Sequence, residues 1–272
     1  VTLERPSLVL AAHGSRDAAW TEAVSSFAGD VAARPGVARA FASVRAAFLE
    51  RSVPTLLDAV RGALQAGSPR VVVIPLFLTA STHVREDVVA LLGRHAPPRA
   101  RHRLVDAGRR PLAPGSPVAL VSLGSIEGVL VANVCRRVGV GASAAGEDGV
   151  VLCAYGSSRH HAQWEALLGA VGRGLLACGF GYVGHAYIGH GAGRATPSLA
   201  RSILAAAAAP GVRRVHVVPL LLGTSASLGA RIDAAVREAA AATSTAIFAR
   251  GDAILPDSDL AAHVAARALG AR

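Results

Sequence analysis

The strongest constraint on this chain is that it states one plan twice. "LVLAAHGSRDAAW" at residues 8–20 returns as "VVLCAYGSSRHHAQW" at residues 150–164. "RVVVIPLFLTASTHVREDV" at residues 70–88 returns as "RVHVVPLLLGTSASLGARID" at residues 214–233, with Pro75 matched to Pro219. Between these anchors residues 41–60 are echoed by residues 182–203, and Pro54 falls on Pro197 after a short insertion. Three matches in one order at a nearly constant offset indicate a duplicated structural unit, so both halves must share a fold. The "ASAAGEDG" stretch at 142–149 reads as the boundary, which divides the chain into domains 1–142 and 149–272.

Within each half, short β-branched runs alternate with amphipathic stretches. Strands are expected at 9–12, 44–49 and 71–78, and helices at 17–32, 54–66 and 84–94. In the second half, strands are expected at 150–154, 183–188, 215–222 and 246–250. Strands alternating with helices imply parallel sheets with right-handed crossovers. The expected fold class is α/β: two tandem, doubly wound parallel-sheet domains related by internal duplication.

Ligands of such sheets sit outside the carboxyl ends of the strands. His13 follows the first strand, Glu50 the second, and His83 lies a short loop past the third. Two imidazoles and a carboxylate meeting on that rim would form an open site for a divalent metal. The copy lacks them: Tyr155 replaces His13, Ser227 replaces His83, and Glu50 falls opposite Gly189 or Gly193. One half therefore reads as working and the other as scaffold. His190, in "IGHGAG", stands as an alternative third ligand from the second half.

Composition removes several reaction classes. All 28 basic residues are arginine. With no lysine there is no Walker A lysine and no lysine Schiff base, so no nucleotide cofactor is expected. "GFGYVG" at 179–184 precedes a strand and so fails as a dinucleotide loop. The net charge of +10 is dispersed and aromatics are only 4%, so nucleic acid is not an expected partner. Arginine forks suit a ligand rich in carboxylates, and Arg16 and Arg85 lie nearest the histidines. Cys135, Cys153 and Cys178 have no CxxC spacing, so no iron–sulfur cluster or disulfide framework is expected and all three read as buried small residues. His160 and His161 read as an exposed pair, while His95, His102, His185, His216 and His263 have no evident partner. No apolar run reaches the ~18–20 residues of a membrane helix, and residues 1–7 lack the features of a secretory signal. The expectation is a cytoplasmic protein without a membrane partner; oligomeric state is open, and a monomer is compatible with the sequence.

"AHGSR", "AFLE" followed by Pro54, and "VVVIPLFLTASTHVRED" resemble the sirohydrochlorin cobalt- and ferrochelatases, the class II chelatases of tetrapyrrole biosynthesis, in their two-domain form. The resemblance implies flavodoxin-like, chelatase-type domains. It implies that His13 and His83 hold the incoming metal, with Glu50 beside the macrocycle as the third catalytic residue. It further implies that Leu78, Thr79, Ala80, Ser81 and Thr82 line the tetrapyrrole, with Arg16 and Arg85 in reach of its carboxylates. The implied activity is ATP-independent insertion of Fe²⁺ or Co²⁺, the metal being a substrate, in sirohaem or cobalamin synthesis. A non-catalytic metal or tetrapyrrole carrier on the same fold is the alternative.

Overall fold

The computed structural model describes residues 4–79, 83–139, 146–189, 198–251 and 253–271, with residues 83–85 described in backbone only. The first half forms β1 (Ser7–Ala12), α1 (Ala18–Ala32), α2 (Pro35–Ala40), β2 (Ser43–Phe48), α3 (Leu56–Gln65) and β3 (Val71–Pro75). A π-helical turn, His83–Val88, runs into α4 (Val89–Leu91), followed by α5 (Pro98–Asp106) and β4 (Val118–Leu120). The second half forms α6 (Glu127–Val138), β5 (Asp148–Ala154), α7 (His161–Ala177), β6 (Tyr182–Tyr187), α8 (Leu199–Ala207), β7 (Arg214–Pro219), α9 (Ala226–Ala240), β8 (Ala246–Ala249) and α10 (Ser258–Leu269).

Two four-stranded sheets result, ordered β2-β1-β3-β4 and β6-β5-β7-β8. Every pairing is parallel. The same order twice is the duplication expressed as topology. β1, β3 and β5 are buried along their whole length because helices cover both faces of the sheet, which is why these strands read as continuous apolar runs.

The structure shortens two expected strands. β3 ends at Pro75 and β7 at Pro219, although one further rung follows each proline, Leu76 N–H to the Ala11 carbonyl and Leu220 N–H to the Cys153 carbonyl. The helix expected from Pro54 starts instead at Leu56, where the Thr55 hydroxyl accepts the Asp58 N–H. The helix expected over 84–94 is a π-helical turn with one short α-turn after it. β4 went unanticipated because three residues carry too little period to register, as did α5 because "PRARHRLVD" is mostly cationic.

Packing groups residues 1–124 with 256–272 as one compact unit and 125–255 as another. These units differ from the sequence halves by an exchange of helices. α6 packs on α7, although it precedes the expected boundary, and α10 packs on α1 and α2. α10 buries Leu260, Ala261, Val264, Ala265 and Ala268 in the first unit. Its edge is tied there by Arg267 Nε donating to the Ser122 carbonyl at 3.1 Å and by His263 Nε2 lying 2.6 Å from the Leu123 carbonyl. Among the described residues no helix is long and apolar enough to cross a membrane.

Candidate functional site

Parallel pairing of β1 and β2 continues past the strand ends. The Leu49 N–H donates to the Ala12 carbonyl at 2.9 Å, and the Glu50 N–H to the His13 carbonyl at 3.0 Å. This extra rung sets His13 and Glu50 side by side, and His13 Nε2 lies 3.0 Å from Glu50 Oε1. The two side chains are 41% and 37% exposed, open enough to meet a ligand.

The turn between them tolerates one residue type at its tightest point. Gly14 has φ +100°, and a Cβ there would stand 1.7 Å from the Glu50 carbonyl oxygen. Glycine supplies both the backbone angle and the missing atom. Ser52 then binds the two loops together: its hydroxyl donates to the Ser15 carbonyl at 2.7 Å and accepts the Ser15 N–H at 3.0 Å. Thr21 Oγ1 joins Ser52 Oγ at 3.1 Å. Arg51 takes a left-handed φ of 64° and sets its Nε 3.9 Å from Glu50 Oε1. Sequence reading missed Arg51 and Ser52, although both directly follow Glu50.

β3 reaches the same rim. It pairs with β1, and the Leu76 N–H donates to the Ala11 carbonyl at 2.7 Å. Leu78 and Thr79 follow in a half-buried loop, whereas Ala80, Ser81 and Thr82 lie outside the described residues. His83 opens the π-helical turn; its side chain and that of Arg85 also lie outside the described residues. Arg16 is exposed on the loop between β1 and α1. The described atoms thus bring His13 and Glu50 together. Among the described residues no three His, Cys, Asp or Glu are grouped to hold a metal.

The turn carrying His83 is anchored from behind. Glu86 is buried, and its carboxylate accepts from Arg99 Nη2 at 2.5 Å and from Arg103 Nη2 at 3.0 Å. Arg103 also reaches Asp87 at 2.6 Å. The carboxylates raise both guanidinium pKa values, through the hydrogen bond Arg99 donates to Glu86 and chiefly the one Arg103 donates to Asp87. α5 is therefore a cationic strut under the turn.

The second unit keeps the scaffold and drops the donors. The Gly189 N–H donates to the Tyr155 carbonyl at 2.8 Å, the same rung that joins Glu50 to His13. Of the two counterparts left open for Glu50, that rung selects Gly189. Trp20 packs on Phe48 at 5.9 Å between ring centroids, and Trp164 on Tyr187 at 6.5 Å, so even the aromatic pair behind the rim is duplicated. Ser227 lies in the first turn of α9 with its Oγ 3.1 Å from Ser225 Oγ. His190 lies outside the described residues.

Several residues that seemed unpartnered have partners. His185 Nε2 lies 3.1 Å from Glu165 Oε1, to which the Tyr187 hydroxyl donates at 2.6 Å. The Tyr187 hydrogen bond holds Glu165 below the usual carboxylate range, while burial pushes the Tyr187 phenol up. The signal was present: His161 and Glu165 are four apart on α7, and His185 and Tyr187 two apart on β6. His216 Nε2 lies 2.8 Å from Asp148 Oδ1, and the same carboxylate accepts two bonds from Arg214, at 2.7 and 3.0 Å. The Arg214 bond chiefly lowers the Asp148 pKa, and burial lowers that of His216. Cys153 is buried as expected, but Cys178 is exposed and Cys135 half-buried, because α7 ends at Ala177 and leaves Cys178 as its cap.

Residues 7–108 match the family described as CbiX. The "Sirohydrochlorin cobaltochelatase" of Saccharolobus solfataricus is 33% identical over 86 residues, which are 32% of this chain and 62% of that protein. The protein of the same name from Methanocaldococcus jannaschii is 36% identical over 87 residues, 32% of this chain and 58% of that one. The chain thus spans about three fifths of the length of these curated relatives. The structure of "SirB from Bacillus subtilis with Fe3+" superposes with a TM-score of 0.73 at 18% identity, covering 97% of this chain and 94% of that one. That last likeness establishes the fold over both units.

Proposed function

Since residues 7–108 of this chain match the CbiX family, we propose that the protein is a sirohydrochlorin chelatase, inserting Co²⁺ or Fe²⁺ into the tetrapyrrole without ATP. The observation that carries this reading is the 3.0 Å contact of His13 Nε2 with Glu50 Oε1 on the carboxyl rim of the first sheet. An imidazole and a carboxylate that touch are a device for exchanging partners. In the tautomer that donates Nε2–H to Glu50, binding of the incoming ion at Nε2 requires that proton to leave to solvent. The ring then takes the Nδ1–H form, and the hydrogen bond to Glu50 opens. The freed carboxylate is then placed to accept a proton as a pyrrole N–H is lost. His83, beginning the turn after β3, completes the metal-holding set in this reading. The Leu78–Thr82 loop lines the macrocycle, while Arg16, Arg51 and Arg85 offer guanidinium forks to its rim carboxylates.

Both ions accept imidazole and carboxylate donors, so one site chemistry serves either metal and supply selects between them. Support for cobalt comes from the names of the curated relatives, and for iron from the bound ion in the Bacillus subtilis structure. The product would feed cobalamin synthesis in the first case and sirohaem synthesis in the second.

The test is anaerobic absorbance spectroscopy of sirohydrochlorin with Co²⁺ or Fe²⁺ and a catalytic amount of protein. Turnover above the uncatalysed rate is expected. A spectral shift that stops at one equivalent of protein would instead identify a carrier. Glu50→Gln should lower kcat about 10²–10⁴-fold, and His13→Ala should weaken metal capture to a comparable degree. Tyr155→Ala should leave turnover near wild type. Full activity in His13→Ala would remove the site assignment.

A further inference from the structure

Two cysteines with no sequence relation meet on the second unit. Cys135 lies in the last turn of α6, and Cys178 caps the carboxyl end of α7. The helices approach closely at Gly174, where a Cβ would stand 2.6 Å from Val131 Cγ2. Val131 is one turn before Cys135, and Gly174 one turn before Cys178. A close crossing at the first pair therefore delivers the second pair to the same level, one turn on. The Cys178 N–H is tied to the Gly174 and Leu175 carbonyls at 3.1 and 3.0 Å, which fixes where its side chain starts. Cys178 is near enough to Cys135 to act, after burial, in holding its thiol pKa up. Cys178 is exposed, whereas Cys135 is half-buried.

We propose that Cys135 and Cys178 form an oxidation-sensitive pair that a peroxide closes to a disulfide, clamping α6 to α7. The exposed Cys178 is the sulfur that meets the oxidant. Its thiolate attacks one peroxide oxygen, the O–O bond breaks, and the leaving hydroxide takes a proton to become water. Cys178 is then a sulfenic acid. The Cys135 sulfur attacks that sulfur, the S–O bond breaks, the Cys135 proton and the departing hydroxyl leave as water, and the S–S bond forms. Two thiols give up two electrons and two protons, and one hydrogen peroxide becomes two waters. Burial and the Cys178 neighbour push the Cys135 pKa up to about 11, which leaves the first step, attack on the oxidant, to the exposed Cys178. Cys153, fully buried in β5 with its thiol pushed up to about 12, takes no part.

The test is to treat the intact protein with hydrogen peroxide, alkylate under denaturing conditions, and map the peptides by mass spectrometry. The expected product is a cross-linked peptide pair containing Cys135 and Cys178, two hydrogen masses lighter than the free thiols and reversed by dithiothreitol. Cys153 should be alkylated throughout. Cys178→Ser should leave Cys135 alkylatable after the same treatment, and the oxidised wild type should unfold at a higher temperature than the reduced one. Two separately alkylated cysteines after oxidation, Cys178 driven to sulfinic acid with Cys135 still free, or dimers joined through Cys178 would each overturn the proposal.

Discussion

A methyl group is the smallest probe of the rim. Placed on Gly14 it would occupy the space of the Glu50 carbonyl oxygen, 1.7 Å away, on a backbone held at φ +100°. Gly14→Ala must therefore push the β1–α1 loop off β2. The strain is expected to cost about 2–3 kcal/mol and to lower the unfolding temperature by about 5–10 °C. It should also separate His13 from Glu50, so metal capture should fall even at temperatures where the variant stays folded. Metal titration of the folded variant, alongside its melting curve, checks both effects. The repeated text at residues 8–20 marked His13 as a strand-end residue, and the end of the second expected strand did the same for Glu50. The Gly14 contact was not legible, because the atom that forbids a side chain there belongs to a residue thirty-six positions on.

At the level of elements, two buried carboxylates do the anchoring. Glu86 holds the His83 turn to α5 through Arg99 and Arg103. Removing one arginine leaves Glu86 the other, whereas removing both takes two ion-pair partners from a buried carboxylate, so the losses should exceed additivity. In Arg99→Ala/Arg103→Ala, amide exchange over residues 86–92 should rise about tenfold or more relative to wild type, with the β1 and β3 amides little changed. Unchanged exchange in that segment would show that α5 is no strut.

The second carboxylate, Asp148, joins β5 to β7 through Arg214 and His216. Its folded pKa lies below the unfolded value of about 3.9, so its contribution is present above that pH and lost as pH falls through the folded value. His216 is also shifted down, by burial, so below its unfolded pKa of about 6.5 the unfolded chain binds the proton more readily. Both groups make acid destabilising. Thermal unfolding from pH 8 to 3 should show stability declining first below about pH 6.5 and again below about pH 4. Asp148→Asn should lower stability at neutral pH and flatten the second decline; a second decline of wild-type size would contradict the assignment.

On the scale of the whole molecule, the repeat and the compact units do not coincide. The first unit is completed by α10, whose Leu260 and Val264 are fully buried. Burying two such side chains contributes roughly 3–6 kcal/mol, a large share of the ~5–15 kcal/mol of a typical domain. A fragment of residues 1–142 should therefore be unfolded or strongly destabilised by circular dichroism, although it carries every proposed catalytic residue. Adding a peptide of residues 256–272 in trans should restore part of its helicity. A fragment that melts cooperatively at the full-length temperature would make α10 an accessory.

Much of this architecture could be read from the letters alone. Duplication, parallel α/β sheets and strand-end positions for His13 and Glu50 follow from order, alternation and residue type, which are properties written locally along the chain. Folding was needed to choose Gly189 as the counterpart of Glu50, to bring Cys135 to Cys178, to pair His185 and His216 with carboxylates, and to send α10 back to the first unit. Each of those depends on contacts between segments about twenty to more than two hundred residues apart. Such contacts are set by how helices and strands exclude one another's volume, and no periodicity in the chain records that.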